Sequence, residues 1–220
     1  MPIDENATTL VTAFDNVPAF ARGMVRDLRV RWALEEIGRA YCPQFLDAMQ
    51  PKPDAYRDWQ PYGQVPAFAD GDLRMFESGA ILLYLGEQDE RLLSRDPDRR
   101  WAAVSWLIAA LNSVEPALMQ IVTLDFFQAR KPWAQEARPT AVEMARTRLA
   151  GTERALGDRE WFAGAFSIAD IAMASVLRNI AHTEILAEFP ALAAFRARCE
   201  ARPAFRRALE DQLAGYREPA

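Results

Sequence analysis

One loop near the start of the chain has the position of a catalytic loop without the usual catalytic side chains. The segment FDNVPAFARGMVRD, residues 14–27, separates an apolar run (LVTAF, residues 10–14) from a helix-like run (LRVRWALEE, residues 28–36). A passage from strand to helix is a common place to hold an anion or activate a nucleophile, because helix N-termini expose unpaired amides. Yet the loop contains no Ser, Thr, Cys, Tyr or His. The amide and the cations that it offers for chemistry are Asn16, Arg22 and Arg26.

The elements beside this loop are predicted from their hydrophobic periodicity. LVTAF is typical of a short strand, and apolar residues then recur from Val30 to Ile37 with the spacing of an amphipathic helix. Arg31 and Glu35 are expected as an i,i+4 pair on the outer face of that helix, and Gly38 suits its C-terminal cap. AYCPQFLD, residues 40–47, predicts a second strand, which its proline confines to a sheet edge or to the strand start.

A hairpin and a buried helix follow. PKPDAYRDWQPYG, residues 51–63, is rich in turn formers and predicts a short irregular helix. VPAF and LRMF are joined by ADGD, in which Asp-Gly is a strong hairpin signal. SGAILLYLGE predicts a buried helix that begins at Ser78. The order of strand, helix, strand, helix, hairpin and helix predicts a small α/β domain over residues 1–88.

The rest of the chain is predicted to be helical. A polar linker over residues 89–100 leads into an all-helical domain, residues 101–220. Its first helix is long, and Pro116 is expected to kink it. A second helix is predicted from Val142 to Leu156, and Ser167 and Asp170 have capping-box spacing at the start of another. Two further helices are expected at about residues 190–201 and 203–213.

Composition excludes several classes of function. The net charge is −5, from 26 Lys and Arg against 31 Asp and Glu, which argues against a nucleic-acid partner. Two cysteines and one histidine exclude a His/Cys zinc site, and we expect no metal. The acidic N-terminus MPIDENATTL is not a signal peptide, and the apolar runs are judged too short to span a bilayer. We therefore expect a cytoplasmic protein with no membrane partner.

Three ordered motifs carry a resemblance to a known family. QVPAFADGDLRMFESGAILLYLGE, residues 64–87, precedes FAGAFSIADIAMAS, residues 162–175, and the tail PALAAFRARCEARPAFRRAL. In this order and spacing they resemble the glutathione S-transferase superfamily over about residues 10–213. The resemblance implies an α/β plus all-α protein: an N-terminal thioredoxin-like domain (βαβαββα), then a C-terminal helical bundle. It also implies glutathione as co-substrate, a homodimer and a role in detoxification.

The resemblance implies a glutathione site in the first domain. Val65 would pair through its backbone with the cysteinyl part of glutathione, and Pro66 would be cis. The hydroxyl and amide of Ser78, at a helix N-terminus, would receive the γ-glutamyl carboxylate, and Glu77 would accept from the ammonium group. Gln64, or alternatively Gln60, would reach the glycine carboxylate. From the residues alone, Ser78 is an ordinary N-cap and both glutamines are surface amides.

The loop at residues 14–27 departs from the pattern of this family. Members place a Tyr or Ser hydroxyl there, or a Cys for disulfide chemistry, to act with the glutathione sulfur. Depending on the alignment, that position falls near Pro18, Met24 or Phe14, none of which carries a hydroxyl or a thiol. Arg22 or Arg26 could instead favour the thiolate, since a nearby positive charge lowers a thiol pKa. Asn16 could donate its amide; otherwise these are surface, ion-pairing or turn residues.

The expected activity is addition of glutathione thiolate to a small hydrophobic electrophile, helped by binding and orientation. Phe20 would form one wall of the electrophile pocket, with the long helix around residues 106–119 as the other. Two alternatives stay open: isomerisation or peroxide reduction with glutathione on the same fold, and a non-catalytic binding or scaffold protein. Disulfide chemistry is disfavoured by the missing cysteine.

Overall fold

A computed structural model describes residues 2–217, which divide into two compact units. The first unit comprises residues 2–93 together with 202–217, and the second comprises residues 94–201. The C-terminal segment of the chain therefore belongs to the first unit rather than to the helical one. The domain boundaries inferred from sequence, at residues 88 and 101, remain a proposal about domain organisation.

The first unit begins with four strands and three helices. In chain order they are β1 Thr9–Asn16, α1 Asp27–Ile37, β2 Cys42–Asp47, α2 Asp54–Arg57, β3 Ala67–Asp70, β4 Leu73–Phe76 and α3 Ser78–Gln88. The sheet order is β2-β1-β3-β4; β1 is parallel to β2 and antiparallel to β3. This is the predicted βαβαββα order, and the proline of β2 lies on an edge strand as expected.

The helices of the second unit fill the middle of the chain. They are α4 Pro97–Ala109, α5 Glu115–Val122, α6 Pro132–Leu156, α7 Ile168–Arg178 and α8 Pro190–Glu200. Two π-helical segments, Ala110–Val114 and Thr123–Phe127, connect α4 to α5 and extend α5. A kink was predicted at Pro116; the first π-helical segment ends two residues before that proline, which has no N–H for the helical ladder. Helix α4 begins inside the predicted linker, and α6 begins ten residues before the predicted helix.

The last helix, α9 Pro203–Ala214, packs on α1 in the first unit. The rings of Trp32 and Phe205 meet edge to face with centroids 5.0 Å apart. Because α9 covers α1, the predicted outer-face pair is wrong: Arg31 and Glu35 are both buried. Arg31 Nε instead pairs with Asp27 Oδ2 at 2.7 Å. Gly38 ends α1 with a φ of 66°, the left-handed conformation expected of its cap.

The predicted capping box at the start of α7 is confirmed. The Ser167 side chain accepts a hydrogen bond from the helix, and the Asp170 carboxylate accepts from the Ser167 backbone N–H at 2.9 Å. The backbone N–H of Phe162 also donates to Asp170, at 3.0 Å. Burial raises the pKa of Asp170 to about 6, and these hydrogen bonds offset part of that rise. The box fixes the start of a buried helix and is structural.

The helical stretch Pro97–Phe127 corrects one expectation from the sequence. By length and composition alone, these 31 residues could cross a membrane, so the prediction that the apolar runs are too short is wrong here. Half of the most apolar part of the stretch is buried inside the structure. A core helix of a globular unit gives the same pattern.

Candidate functional site

The turn between β4 and α3 has the geometry of an anion site. Glu77 has φ 69° and ψ 114°, and within residues 2–217 it is the one non-glycine residue with a positive φ. Such a conformation costs about 1–3 kcal/mol and tends to occur where a ligand is held. Ser78 follows as the first residue of α3, with only 5% of its surface exposed. The first amides of a helix have no partner within it, so this turn offers donors to a negative charge.

A buried arginine reaches this turn from α1. Arg29 is 3% exposed, and its Nη1 donates to Ser78 Oγ at 3.2 Å. The structure therefore brings together a cation, a hydroxyl and a helix N-terminus. The sequence analysis assigned no role to Arg29. The available signal was a charged residue between apolar positions of α1, since buried charges need partners.

A hydroxyl network fixes the chain on both sides of residues 65 and 66. Tyr56 Oη donates to the Gln64 carbonyl at 2.5 Å and lies 2.9 Å from Thr12 Oγ1, which accepts from Ala67 N–H at 2.6 Å. Since Tyr56 has one proton and gives it to a carbonyl, the Thr12 hydroxyl donates to Tyr56. Burial raises the pKa of Tyr56, which keeps the phenol protonated. Sequence reasoning missed this network because its members are far apart in the chain.

The segment held by this network contains three of the predicted binding residues. The Val65–Pro66 peptide bond is cis, and both side chains are buried, whereas Gln64 is exposed. Gln60 is not the surface amide expected from sequence: it is buried, and its Oε1 accepts from the backbone N–H of Tyr62 and of Gln64. Gln60 therefore shapes the turn, and Gln64 is the glutamine left at the surface.

The candidate catalytic side chains of the loop after β1 contact other parts of the first unit. Asn16 Nδ2 donates to Asp47 Oδ1 at 3.2 Å. Arg22 Nη2 donates to the carbonyl of Arg217 at 3.1 Å, and its guanidinium lies 5.5 Å from the centre of the Tyr216 ring. Arg217 in turn pairs with Asp47 at 2.8 Å. Two of the three candidates thus meet the C-terminal segment, directly or through one carboxylate.

The remaining loop candidates, Arg26 and Phe20, lie in the part of the loop that leads into α1. Arg26 directly precedes α1, and Phe20 lies half-buried in a single 3-10 turn, Ala19–Ala21. The other proposed wall of the electrophile pocket, residues 106–119, belongs to the second unit, so that pocket stays a prediction. In the described part of the chain, no group of three or more His, Cys, Asp or Glu side chains is placed to hold a metal ion.

Comparison with known families agrees with this fold. Residues 15–87 match the family model for the glutathione S-transferase N-terminal domain, and residues 117–212 match that for the glutathione S-transferase C-terminal domain. A disulfide-bond oxidoreductase of Escherichia coli, YfcG, is 33% identical over 162 residues, which cover 68% of this chain and 73% of the relative. The chain belongs to the glutathione S-transferase superfamily.

Further relatives include a plant protein and a bacterial structure. A glutathione S-transferase of Hyoscyamus muticus is 28% identical over 181 residues, covering 76% of this chain and 84% of the relative. The crystal structure of a glutathione transferase from Pseudomonas putida, with one glutathione disulfide bound per subunit, superimposes with a TM-score of 0.80. It is 27% identical and covers 92% of this chain and 90% of its own.

Proposed function

We propose that the protein is a glutathione transferase that adds glutathione thiolate to a small hydrophobic electrophile. The observation that carries the proposal is the turn at Glu77 and Ser78, where the buried Arg29, a hydroxyl and the start of α3 meet. Support also comes from membership of the superfamily and from the glutathione disulfide bound in the Pseudomonas putida structure.

In the proposed complex, each end of glutathione meets a group of matching chemistry. The γ-glutamyl carboxylate accepts from the hydroxyl and amide of Ser78, and the Glu77 carboxylate accepts from the neighbouring ammonium group. The cysteinyl backbone pairs with Val65, whose geometry depends on Pro66. Gln64 is proposed for the glycine carboxylate, since its side chain is exposed whereas that of Gln60 is engaged.

The chemical step needs the thiol proton to leave before the sulfur forms a bond to the electrophile. Arg22, Arg26 and Asn16 remain the proposed groups for favouring the thiolate, with Phe20 in the electrophile pocket. Arg22 and Asn16 already bond to protein groups, so we assign most of the rate to holding the reactants in place. A cytoplasmic homodimer that acts in detoxification is proposed from the family resemblance.

A second candidate is glutathione-dependent disulfide exchange. It is favoured by the name of the Escherichia coli relative and by the ligand of the Pseudomonas putida structure. In this reaction, a glutathione thiolate attacks a disulfide and forms a mixed disulfide, and one thiolate leaves. A second glutathione then releases the other thiol as glutathione disulfide forms. The Cys-free loop gives the protein no nucleophilic sulfur of its own there, which is why transfer is placed first.

Calorimetric titration with glutathione tests the binding site. The wild type, Ser78→Ala and Glu77→Ala are compared with two exposed control variants, Ser105→Ala and Glu90→Ala. We expect each site variant to weaken binding by about 10- to 100-fold, since a hydrogen bond to a charged group contributes about 1.5–3 kcal/mol. The controls should bind like the wild type. A folded wild type that does not bind glutathione would contradict the proposal and favour a scaffold protein.

Substrate profiling then separates the reactions. Turnover is measured with an activated aryl halide, a hydroperoxide and a small mixed disulfide, each with glutathione. Transfer predicts a new thioether product that absorbs or elutes differently from both substrates. Glutathione disulfide as the main product would instead favour the peroxidase or disulfide reaction.

A further inference from the structure

We infer that Tyr56 and Thr12 are positioning residues, whose hydroxyls hold Val65 in the geometry that the proposed glutathione site needs to pair with a peptide backbone. The inference deepens the proposed function and rests on it. Neither hydroxyl is assigned a contact with the ligand. Three features of the first unit carry the inference: the end of the β1·β3 pairing, the direction of the hydrogen bonds, and the backbone groups that these bonds leave at Val65.

The first feature is the point at which β1 and β3 cease to pair through their backbones. The antiparallel register ends with Val11 opposite Phe68. One residue further along, the side chain of Thr12 takes over, and its Oγ1 accepts from the Ala67 N–H at 2.6 Å. Thr12 is 1% exposed, so water does not compete for this bond. The hydroxyl thus fixes the start of β3, while the preceding residues lie outside the strand.

The second feature is the pair of hydrogen bonds at the Tyr56 hydroxyl, which fixes the other end of the segment. Tyr56 Oη donates to the Gln64 carbonyl at 2.5 Å, and the Thr12 hydroxyl donates to the same Oη at 2.9 Å. A hydroxyl that accepts one hydrogen bond is a stronger donor in the next, so the two bonds strengthen each other. The Tyr56 ring is buried and meets Trp59 edge to face, with centroids 6.1 Å apart. The phenol therefore has a fixed position relative to β1.

The third feature is the set of backbone groups that remain at Val65. On one side, Gln64 uses its carbonyl with Tyr56 and its N–H with Gln60 Oε1 at 3.0 Å. On the other side the next residue is a proline, which has no N–H. Among residues 2–217, neither the N–H nor the C=O of Val65 has a hydrogen-bond partner. One donor and one acceptor at a single residue can pair with one residue of an extended peptide, as in a β-ladder.

Accurate placement of Val65 matters because both of its bonds would be made to one residue of the ligand. A hydrogen bond weakens steeply as its angle departs from linear, so two bonds to one residue fit only a narrow range of backbone positions. Tyr56 acts on the residue before Val65, and Thr12 acts two residues after it. Loss of either hydroxyl releases one end of the segment. We therefore expect poorer pairing with the peptide backbone and unchanged contacts elsewhere in the site.

The test compares two ligands that differ in one group of the peptide backbone. The second ligand is the depsipeptide analogue of glutathione, in which an ester oxygen replaces the cysteinyl N–H. Both ligands are titrated by calorimetry into the wild type, Tyr56→Phe, Thr12→Val and Thr12→Ser. We expect the wild type to prefer glutathione about fivefold or more, because the ester cannot donate to the Val65 carbonyl. Tyr56→Phe and Thr12→Val should reduce this preference to about twofold or less, whereas Thr12→Ser keeps the hydroxyl and should retain it.

Two matched controls remove a hydroxyl from the other end of the same strands. Tyr84→Phe loses a hydrogen bond to Asp70 at the end of β3, and Thr9→Val loses a bond from Arg39 at the start of β1. Both controls are expected to keep the wild-type preference for glutathione, even where they lower stability. Near-ultraviolet circular dichroism checks each fold, and Tyr56→Phe, which removes a single oxygen atom, carries the test if Thr12→Val does not fold.

A role in stability alone predicts a different result. If Tyr56→Phe and Thr12→Val weaken the binding of both ligands equally, or change neither, the hydroxyls do not position Val65 and the inference is overturned. A wild type that binds both ligands with equal affinity also overturns it, because no bond to the cysteinyl N–H is then made. A folded wild type that binds neither ligand instead contradicts the proposed function itself.

Discussion

Glu77 combines an unfavourable backbone with a side chain that the proposed site needs. Its φ of 69° is one that residues with a Cβ rarely adopt, and glycine adopts it with less strain. The strain is held in place by β4 on one side and α3 on the other. A residue kept in this conformation despite its cost is typical of positions where a ligand is bound.

Substitutions of Glu77 are therefore expected to change the stability of the fold and the binding of glutathione independently. Glu77→Gly and Glu77→Ala both remove the carboxylate, and we predict that both weaken glutathione binding to the same degree. Glu77→Gly should nonetheless be the more stable of the two by about 1 kcal/mol, because only alanine retains the Cβ penalty. Urea unfolding measures the stability difference, and calorimetry measures the binding. Equal stabilities would mean that the turn relaxes in the variants.

The binding residues could be named from sequence to the extent that their roles are local. Glu77 and Ser78 are adjacent, and the end of an apolar strand followed by a serine predicts the helix start that the structure has at that residue. Arg29 and Thr12 were not found, since each acts on a segment 44 or more residues away in sequence. Periodicity reports which residues share a face, and not which faces meet.

Between elements, the loop after β1 depends on α9 and the segment that follows it. Gln212 Nε2 donates to Asp27 Oδ1 at 2.7 Å and to the Val25 carbonyl at 3.2 Å. Asp27 is buried and also pairs with Arg31. One side chain of α9 therefore donates hydrogen bonds both to the end of the loop after β1 and to the first residue of α1.

Removal of this donor should destabilise the first unit. We predict that Gln212→Leu lowers the free energy of unfolding by about 1–3 kcal/mol, because a buried carboxylate and a carbonyl lose a hydrogen bond that an apolar side chain cannot replace. The matched control is Gln135→Leu at an exposed position of α6, which should change stability little. Urea unfolding gives both values. A wild-type stability for Gln212→Leu would show that the ion pair with Arg31 is enough to stabilise the buried carboxylate of Asp27.

The elements were predictable where one face is apolar and the ends carry turn or cap residues. The hairpin at ADGD, the end of α1 at Gly38 and the capping box of α7 follow from such local signals. The start of α6 was missed because Pro139 interrupts its first turns. The outer face assigned to Arg31 and Glu35 was wrong because α9, more than 160 residues later, covers it. Local pattern cannot anticipate a partner that distant.

For the whole molecule, the first unit is discontinuous in sequence. Residues 2–93 and 202–217 form it together, and the second unit is inserted between them. The family match to the C-terminal domain runs on to residue 212, so family membership alone would assign α9 to the helical domain. The contacts of α9 place it instead with α1. Stability of the proposed glutathione site should therefore depend on the end of the chain.

A chain that ends at residue 201 tests this dependence. It lacks the ring that packs on Trp32 and the partners of two buried acids, since Arg207 pairs with Glu35 at 2.6 Å and Gln212 bonds to Asp27. Large buried side chains and buried charges that lose their partners are among the strongest destabilising changes in proteins. We predict that the first unit of this shortened chain has no cooperative unfolding transition and does not bind glutathione.

The control for this experiment is a chain that ends at residue 217, which retains α9 and should fold and bind like the full chain. A synthetic peptide of residues 202–217, added to the shortened chain, should restore binding in proportion to its concentration, because binding of the peptide to the folded state favours that state by mass action. Backbone amide spectra of the first unit report folding independently of the ligand. If the chain ending at residue 201 already gives dispersed amide signals for residues 2–93, then the sheet and α1–α3 are a sufficient domain, and α9 adds stability without being required for the fold.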